Sequence, residues 1–343
     1  MREHITQLAG AEVCRFVTQH LDPDDNNTLV ISTTNDFNIR TIDNKQAIVN
    51  LSKTNNIRRI NKFFEAVNEQ LPMGATYIGC AETIQARKSR KRVSRIPVLR
   101  DLYFILEFIF LRVFPKVWGL KKLYFMVTKG RNRLLSKAEV LGRLVCCGFE
   151  IKAVETINGL LYFAVEKVKA PAYDMNPSYG PLFKMQRIGK HGKMIGVYKF
   201  RTMHPYAEYL HDYVLKQNGY ADSGKPADDF RLTPWGRVFR RYWIDEVPQL
   251  INVLKGEMKL VGIRPVGKRY FSDITADLQA MRITQKPGCI PPYVALDRKS
   301  DIYSVQDAER EYLMEKLRDP YTTDVRYFFN AIGNIVFKKK RSA

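Results

Sequence analysis

The sequence predicts a two-domain α/β protein, and three observations carry that prediction. Its 343 residues are enough for two domains, and a hydrophobic content of 45% can build a buried core in each. The first half alternates short β-branched and aromatic runs with helical patterns, the order that produces a parallel or mixed sheet. The segment from Lys167 to Tyr179 holds two prolines among small polar residues and reads as a linker. The boundaries expected from these features are a first domain over 1–170 and a second over 178–343.

In the first domain, strands are expected at 28–32, 46–51, 76–80, 123–127, 150–154 and 160–165. Helices are expected at 59–70, 96–113 and 136–147, the last with Ser136 as N-cap. The segment 96–120 stands apart. Its apolar core is interrupted by Glu107 and is too short to span a bilayer. Arg87, Lys88, Arg90, Lys91, Arg92 and Arg95 precede it, and Lys121 and Lys122 follow. Such a helix, with aromatic residues at its ends and basic flanks, suits an interfacial or re-entrant membrane element. A buried core helix is the other reading of the same residues.

The second half opens with a hairpin. Apolar and polar residues alternate on both arms around the turn from Gly189 to Gly192. Lys199 and Arg201 flank Phe200, so both cations fall on one face of an extended segment, where they could meet a diphosphate. His204, His211, Asp222, Asp228 and Asp229 follow without any metal-ligand spacing. The C-terminal segment places Phe328, Ile332, Ile335 and Val336 on one helical face ahead of Lys338 and Arg341; it suits packing and anionic lipid equally.

The chemistry concentrates between Trp235 and Pro265. Asp245 and Glu246 precede Pro248, which fits a first helical turn because its missing N–H has no partner to lose there. Leu250, Ile251, Val253 and Leu254 form an apolar run, and Gly256 stands where a helix would stop. Aligned amide dipoles favour negative charge at such an N-terminus. Arg237, Arg240 and Arg241 come before the acids and Arg264 after them. A close carboxylate pair can hold magnesium, and arginines grip phosphate oxygens. On spacing alone, a capped helix with surface ion pairs accounts for these residues equally well.

The wider pattern is more specific. It comprises Asp245-Glu246-Val247-Pro248-Gln249-Leu250, Asn252, Lys255-Gly256-Glu257-Met258 and Gly262-Ile263-Arg264-Pro265, preceded by Tyr198-Lys199-Phe200-Arg201-Thr202-Met203. The segment from about Gly180 onward thereby resembles the bacterial sugar transferases, the monotopic polyprenyl-phosphate phosphoglycosyl transferases. The resemblance implies an α+β catalytic domain that moves a sugar 1-phosphate from a nucleoside diphosphate sugar, with a bias to uridine, onto polyprenyl (undecaprenyl) phosphate. UMP would leave, and the product would begin an exopolysaccharide, capsule, O-antigen or glycoconjugate. It further implies Asp245 as a covalent nucleophile, and Asp245 with Glu246 as holders of a Mg2+ cofactor. Arg240 and Arg264 are implied in phosphate binding, with Lys199, Arg201 and Arg298 behind them. Lys286-Pro287-Gly288 matches a further family step, but Cys289 to Tyr293 departs from it, and the usual re-entrant helix directly before the hairpin is missing. The 96–120 segment is expected to supply that membrane element.

The closing part of the first domain resembles the last helix and hairpin of class I methyltransferases, which makes that domain Rossmann-like. Residues 1–60 contain Gly10 as their one glycine, so the cofactor loop such an enzyme needs is absent. A scaffold without cofactor binding is the expectation.

Charge bounds the partners. Lysine and arginine number 56 against 35 acids, a formal net charge of +21, which points to anionic surfaces or phosphorylated substrates. No nucleic-acid motif accompanies it, so nucleic acid is not an expected partner. Five cysteines without metal or disulfide spacing read as reduced thiols in a cytoplasmic setting, and Arg2, Glu3 and His4 stand in place of a secretory signal; with these, the resemblance implies the cytoplasmic face of the bacterial inner membrane, monotopic or peripheral. A homo-oligomer is left open. Two other readings stand beside the enzyme: a catalytically inactive scaffold of a glycan-assembly complex, and a basic nucleic-acid-binding protein.

Overall fold

A computed structural model describes residues 1–41, 45–91, 96–117, 119–173, 180–219 and 226–338. Arg92, Arg95, Asp222, Arg341 and the end of the expected linker lie outside the described residues. The chain forms two compact units. The first comprises Met1–Tyr179 with His204–Gln217, and the second comprises Gly180–Met203 with Asn218–Ala343. Residues His204–Gln217, assigned to the second domain from sequence, therefore belong to the first unit.

The first unit is built on a five-stranded mixed sheet in the order β1-β2-β3-β5-β4. β1 (Thr28–Ile31), β2 (Ala47–Lys53) and β3 (Thr76–Ala81) are parallel; β5 (Leu160–Lys167) lies antiparallel between β3 and β4 (Phe149–Ile157). Alternation along β5 sends Leu161, Phe163 and Val165 to one face and Tyr162 and Ala164 to the other. Phe163 meets Tyr77 and Phe64 of the helix Ile60–Gln70 on the first face, at ring separations of 5.8 and 6.4 Å. Ile5, Val13, Phe16 and Val17 of the helices Arg2–Ala9 and Ala11–His20 cover the second. The pattern reading did not anticipate those two helices.

Ser136 caps the helix Lys137–Cys146 by accepting from the Glu139 N–H. Gly142 in that helix is obligatory, because an added Cβ would lie 2.3 Å from the Tyr206 carbonyl. Tyr206 also accepts a hydrogen bond from Asn61 and lies under the Arg143 guanidinium, which is how His204–Gln217 joins this unit. The strand expected at 123–127 is a helix, Leu120–Thr128. Its continuous apolar run has no period-two alternation, and only tertiary context separates helix from strand in such a run.

Burial pushes the Cys80 thiol up to about 12 and raises Cys147, Tyr77 and Tyr162 as well. In the unfolded chain thiols ionise near 8.5 and tyrosines near 10. Above about pH 8.5 the unfolded state thus releases protons that the folded state keeps. The stability these groups confer is complete below that pH and is lost as pH climbs toward about 12, at up to roughly 1.4 kcal/mol per pH unit and group. Melting temperature is expected to fall steeply above pH 9, with a shallower slope in Cys80→Ala; a flat profile would contradict the burial described here.

The second unit begins with the antiparallel hairpin β6 (Leu182–Ile188) and β7 (Met194–Phe200). A short parallel pair, β8 (Lys259–Val261) and β9 (Gly288–Ile290), packs with the helices Ala276–Ile283, Ile302–Arg318 and Thr323–Val336 around Val261, Leu278, Tyr312, Tyr327 and Ala331. The pair requires glycine at 288, since a Cβ there would stand 2.1 Å from the Gly262 nitrogen. The C-terminal helix both packs and faces outward: Phe328 and Ile335 touch the core, while Phe329, Ile332 and Val336 are exposed.

Candidate active site

The two acids stand in a 3-10 turn, Ile244–Gln249, that runs directly into the short helix Leu250–Leu254. Trp243 enters the turn in the left-handed region, at φ 61°, a strained conformation for a bulky residue. Gly256 ends the helix at φ 70°, where glycine carries no Cβ penalty. Pro248 stands inside this 3-10 turn, ahead of the helix Leu250–Leu254, and not in that helix's own first turn as its sequence position predicts.

Asn252 holds this element to the hairpin. Fully buried, it accepts from the Tyr198 N–H at 3.0 Å and donates to the Gly196 carbonyl at 2.9 Å and to Glu257 at 2.6 Å. Asn252→Ala leaves a β7 donor and a β7 acceptor without partners and is expected to destabilise the protein by about 2 to 4 kcal/mol. Urea unfolding measures this; a loss under about 0.5 kcal/mol would mean the clamp is dispensable.

The clamp sets β7 against the acids. Lys199 reaches Asp245 at 2.8 Å and Glu246 at 3.2 Å, and Gln249 donates to Glu246 at 3.3 Å. Asp245 is fully buried, and its Oδ1 has no hydrogen-bond partner among the described residues. Glu246 faces a narrow cleft of about 70 Å³, whose lining includes Arg187, Lys199, Trp243, Arg264 and Cys289. That volume suits a phosphate group rather than a whole nucleotide sugar. Burial, and next the charge of Glu246, push the Cys289 thiol up to about 12, so it faces the cleft neutral.

Arg264 is positioned from behind. Glu309, fully buried, accepts from the Arg264 N–H at 3.0 Å and pairs with Arg282, which donates to the Arg264 carbonyl at 2.6 Å. The Arg-Pro turn is thereby fixed with its guanidinium at the cleft.

Arg187 was missed in the sequence. The hairpin register pairs Phe183 with Lys199, Met185 with Val197 and Arg187 with Ile195, which puts Arg187 on the same face as Lys199. Writing that register out from the Gly189–Gly192 turn would have found it. Burial, followed by the like charge of Arg264, depresses the Arg187 guanidinium below its ordinary value. Two arginines that repel each other across a cleft form a site for an anion.

The other predicted residues lie outside the cleft lining. Arg240, in the last turn of the helix Pro234–Arg241, donates to Thr202 at 3.0 Å; burial lowers it while Asp245 and Asp229 oppose the shift. Arg201 donates to the Gly180 carbonyl at 3.0 Å and stacks on Phe183. Arg298 pairs with Glu311. Val247, Leu250, Ile251 and Leu254 are exposed beside the acids, Leu254 at 89%.

Among the described residues no three His, Cys, Asp or Glu side chains cluster as a metal cage. The two adjacent carboxylates and the unpartnered buried Oδ1 are the hard oxygen donors that magnesium accepts when water and substrate phosphates complete its shell.

The model of a family described as bacterial sugar transferase matches residues 156–338. The chain is 37% identical over 126 residues to an undecaprenyl-phosphate galactose phosphotransferase of Salmonella typhimurium, covering 34% of this chain and 25% of that protein. It is 34% identical over 146 residues to a UDP-glucose:undecaprenyl-phosphate glucose-1-phosphate transferase of Escherichia coli, covering 42% and 26%. An uncharacterized sugar transferase of Bacillus subtilis is 42% identical over 106 residues, 31% of this chain and 46% of that protein. The chain thus spans less than half the length of each of these relatives.

Proposed function

The chain belongs to the bacterial sugar transferase family, and on that premise we propose that it transfers a sugar 1-phosphate from a UDP-sugar to undecaprenyl phosphate, releasing UMP. The observation that carries this reading is the Lys199-bridged Asp245–Glu246 pair at a cleft lined by Arg187 and Arg264.

In the first step a carboxylate oxygen of Asp245 attacks the β-phosphorus. An Asp–O–P bond forms, the bond from that phosphorus to the bridging oxygen breaks, and UMP departs with the electron pair. In the second step an oxygen of undecaprenyl phosphate attacks the same phosphorus and displaces the carboxylate. The lipid diphosphate sugar is released and Asp245 is regenerated. Arg187 and Arg264 hold the diphosphate oxygens, so an anionic nucleophile meets a neutralised target. Lys199 exchanges part of its contact with the two acids for a phosphate oxygen, which uncovers Asp245 for attack. Arg240 contributes positive charge from outside the cleft. Asp245 and Glu246 would hold magnesium, which when bound neutralises the diphosphate and the leaving phosphate. The exposed Leu250–Leu254 helix offers an apolar approach for the polyprenyl chain.

We assign the chain to the cytoplasmic face of the bacterial inner membrane, monotopic or peripheral. No helix among the described residues is long and apolar enough to cross a membrane, and the acceptor is a membrane lipid in this reading. The first unit is proposed as a methyltransferase-like scaffold without cofactor binding; a terminal antiparallel hairpin following the helix Lys137–Cys146 supports this.

The test supplies purified protein with undecaprenyl phosphate, magnesium and a panel of UDP-sugars and follows UMP. Release that requires lipid phosphate and metal is expected for one donor or a few. No release from any donor, with folded protein, would favour a scaffold role.

A further inference from the structure

The helix Pro97–Phe108 and the π-helical turn at Ile109–Val113 bury the charged Glu107 and Arg112 while turning apolar side chains outward, and the helix Leu120–Thr128 exposes apolar residues beside its lysines. A helix in water buries its apolar stripe and exposes its charges. Here the Glu107 and Arg112 side chains are each 7% exposed. Glu107 pairs with Arg87 at 2.9 Å and Lys91 at 2.5 Å, and Arg112 pairs with Glu139 at 2.7 Å and donates to the Leu134 carbonyl at 2.7 Å. These bonds fasten the first helix and the π-helical turn to the rest of the first unit through their polar groups.

Much of what they turn outward is apolar, beside the exposed Arg100–Asp101 pair. Leu102 and Leu106 are 55% and 57% exposed, and Met126 and Val127 are 71% and 66% exposed. Leu99, Ile105 and Phe110 are exposed as well on the first helix and the turn after it, and Leu123 on the second helix. Exposed Lys121 and Lys122 stand at the start of the second helix. Residues 84–133 hold fourteen lysines and arginines against two acids, a net +12 and more than half of the chain's +21.

We propose that this helical pair is a wedge that seats in one leaflet of an anionic lipid bilayer. The apolar face enters the acyl boundary and the surrounding cations meet the headgroups. The twelve-residue first helix is about 18 Å long at 1.5 Å per residue, too short for the roughly 30 Å hydrocarbon core, so the wedge enters without spanning. Charge excludes a second copy as the occupant, because two such faces would bring like charges together. The breadth of exposed apolar surface excludes nucleic acid. The wedge belongs to the first unit, so membrane attachment is carried by the part of the chain that holds neither catalytic carboxylate.

Flotation of the full-length protein with phosphatidylcholine vesicles, with and without phosphatidylglycerol, tests this. It requires neither sugar nucleotide nor acceptor, so its outcome is separate from that of catalysis. The wild-type protein is expected to float with the anionic vesicles and far less with neutral ones. Leu102→Glu/Leu106→Glu/Met126→Glu is expected to lose at least about tenfold in bound fraction. Lys121→Glu/Lys122→Glu is expected to weaken binding to anionic vesicles alone. All five side chains are exposed, so melting temperatures should match the wild type. Unchanged flotation of the apolar triple variant would overturn the proposal. So would a lipid-free dimer that the triple variant splits, because a second copy would then cover the face.

Discussion

Asp245→Asn is expected to slow UMP release by at least about a thousandfold, with little change in fold. The substitution keeps the shape of a fully buried side chain and removes the carboxylate proposed as the nucleophile. Lys199 retains Glu246 at 3.2 Å, so no buried cation is orphaned. Glu246→Gln is expected to cost at least about tenfold less, because in the proposed mechanism it weakens metal and substrate positioning while leaving Asp245 in place. Because Glu246 faces the cleft and Asp245 lies behind it, the comparison is decisive. If the glutamine variant is dead and the asparagine variant turns over, the two roles are reversed.

Arg187→Ala and Arg264→Ala are each expected to lower kcat/KM for the sugar nucleotide by about 10- to 100-fold. A charge-assisted hydrogen bond to phosphate contributes about 1.5 to 3 kcal/mol. Lysine at either position should recover only part of the loss, since it supplies charge without the planar fork. The double variant should lose less than the product of the single losses, because in the proposed mechanism both guanidinium groups grip one diphosphate. An unchanged kcat/KM in Arg187→Ala would remove this residue from the site. Glu309→Gln acts through Arg264 and is expected to reproduce part of the Arg264→Ala defect.

What could be read from the sequence followed from local rules. The Gly256 stop and the β6–β7 hairpin are each specified within a few residues, and the structure has both. Lys199 joined the acids because its place on a strand face is also local information. Arg187 shares that face, yet finding it required pairing two strands across a turn. Arg298 was assigned by its distance from a motif that had already changed, and the fold pairs it with Glu311 outside the cleft lining. The helix Leu120–Thr128 escaped because an uninterrupted apolar run carries no period. Residues His204–Gln217 escaped for a different reason. Their place in the first unit depends on the room that Gly142 leaves for Tyr206, a tertiary fact with no local signal.

The most direct test of the account is the intact mass of the protein after incubation with its UDP-sugar and magnesium, without acceptor. The account predicts a mass increase of one sugar phosphate, mapped to the peptide containing Asp245, absent from Asp245→Asn and discharged by undecaprenyl phosphate. Turnover without any adduct in quenched samples, or an adduct on another residue, would contradict it.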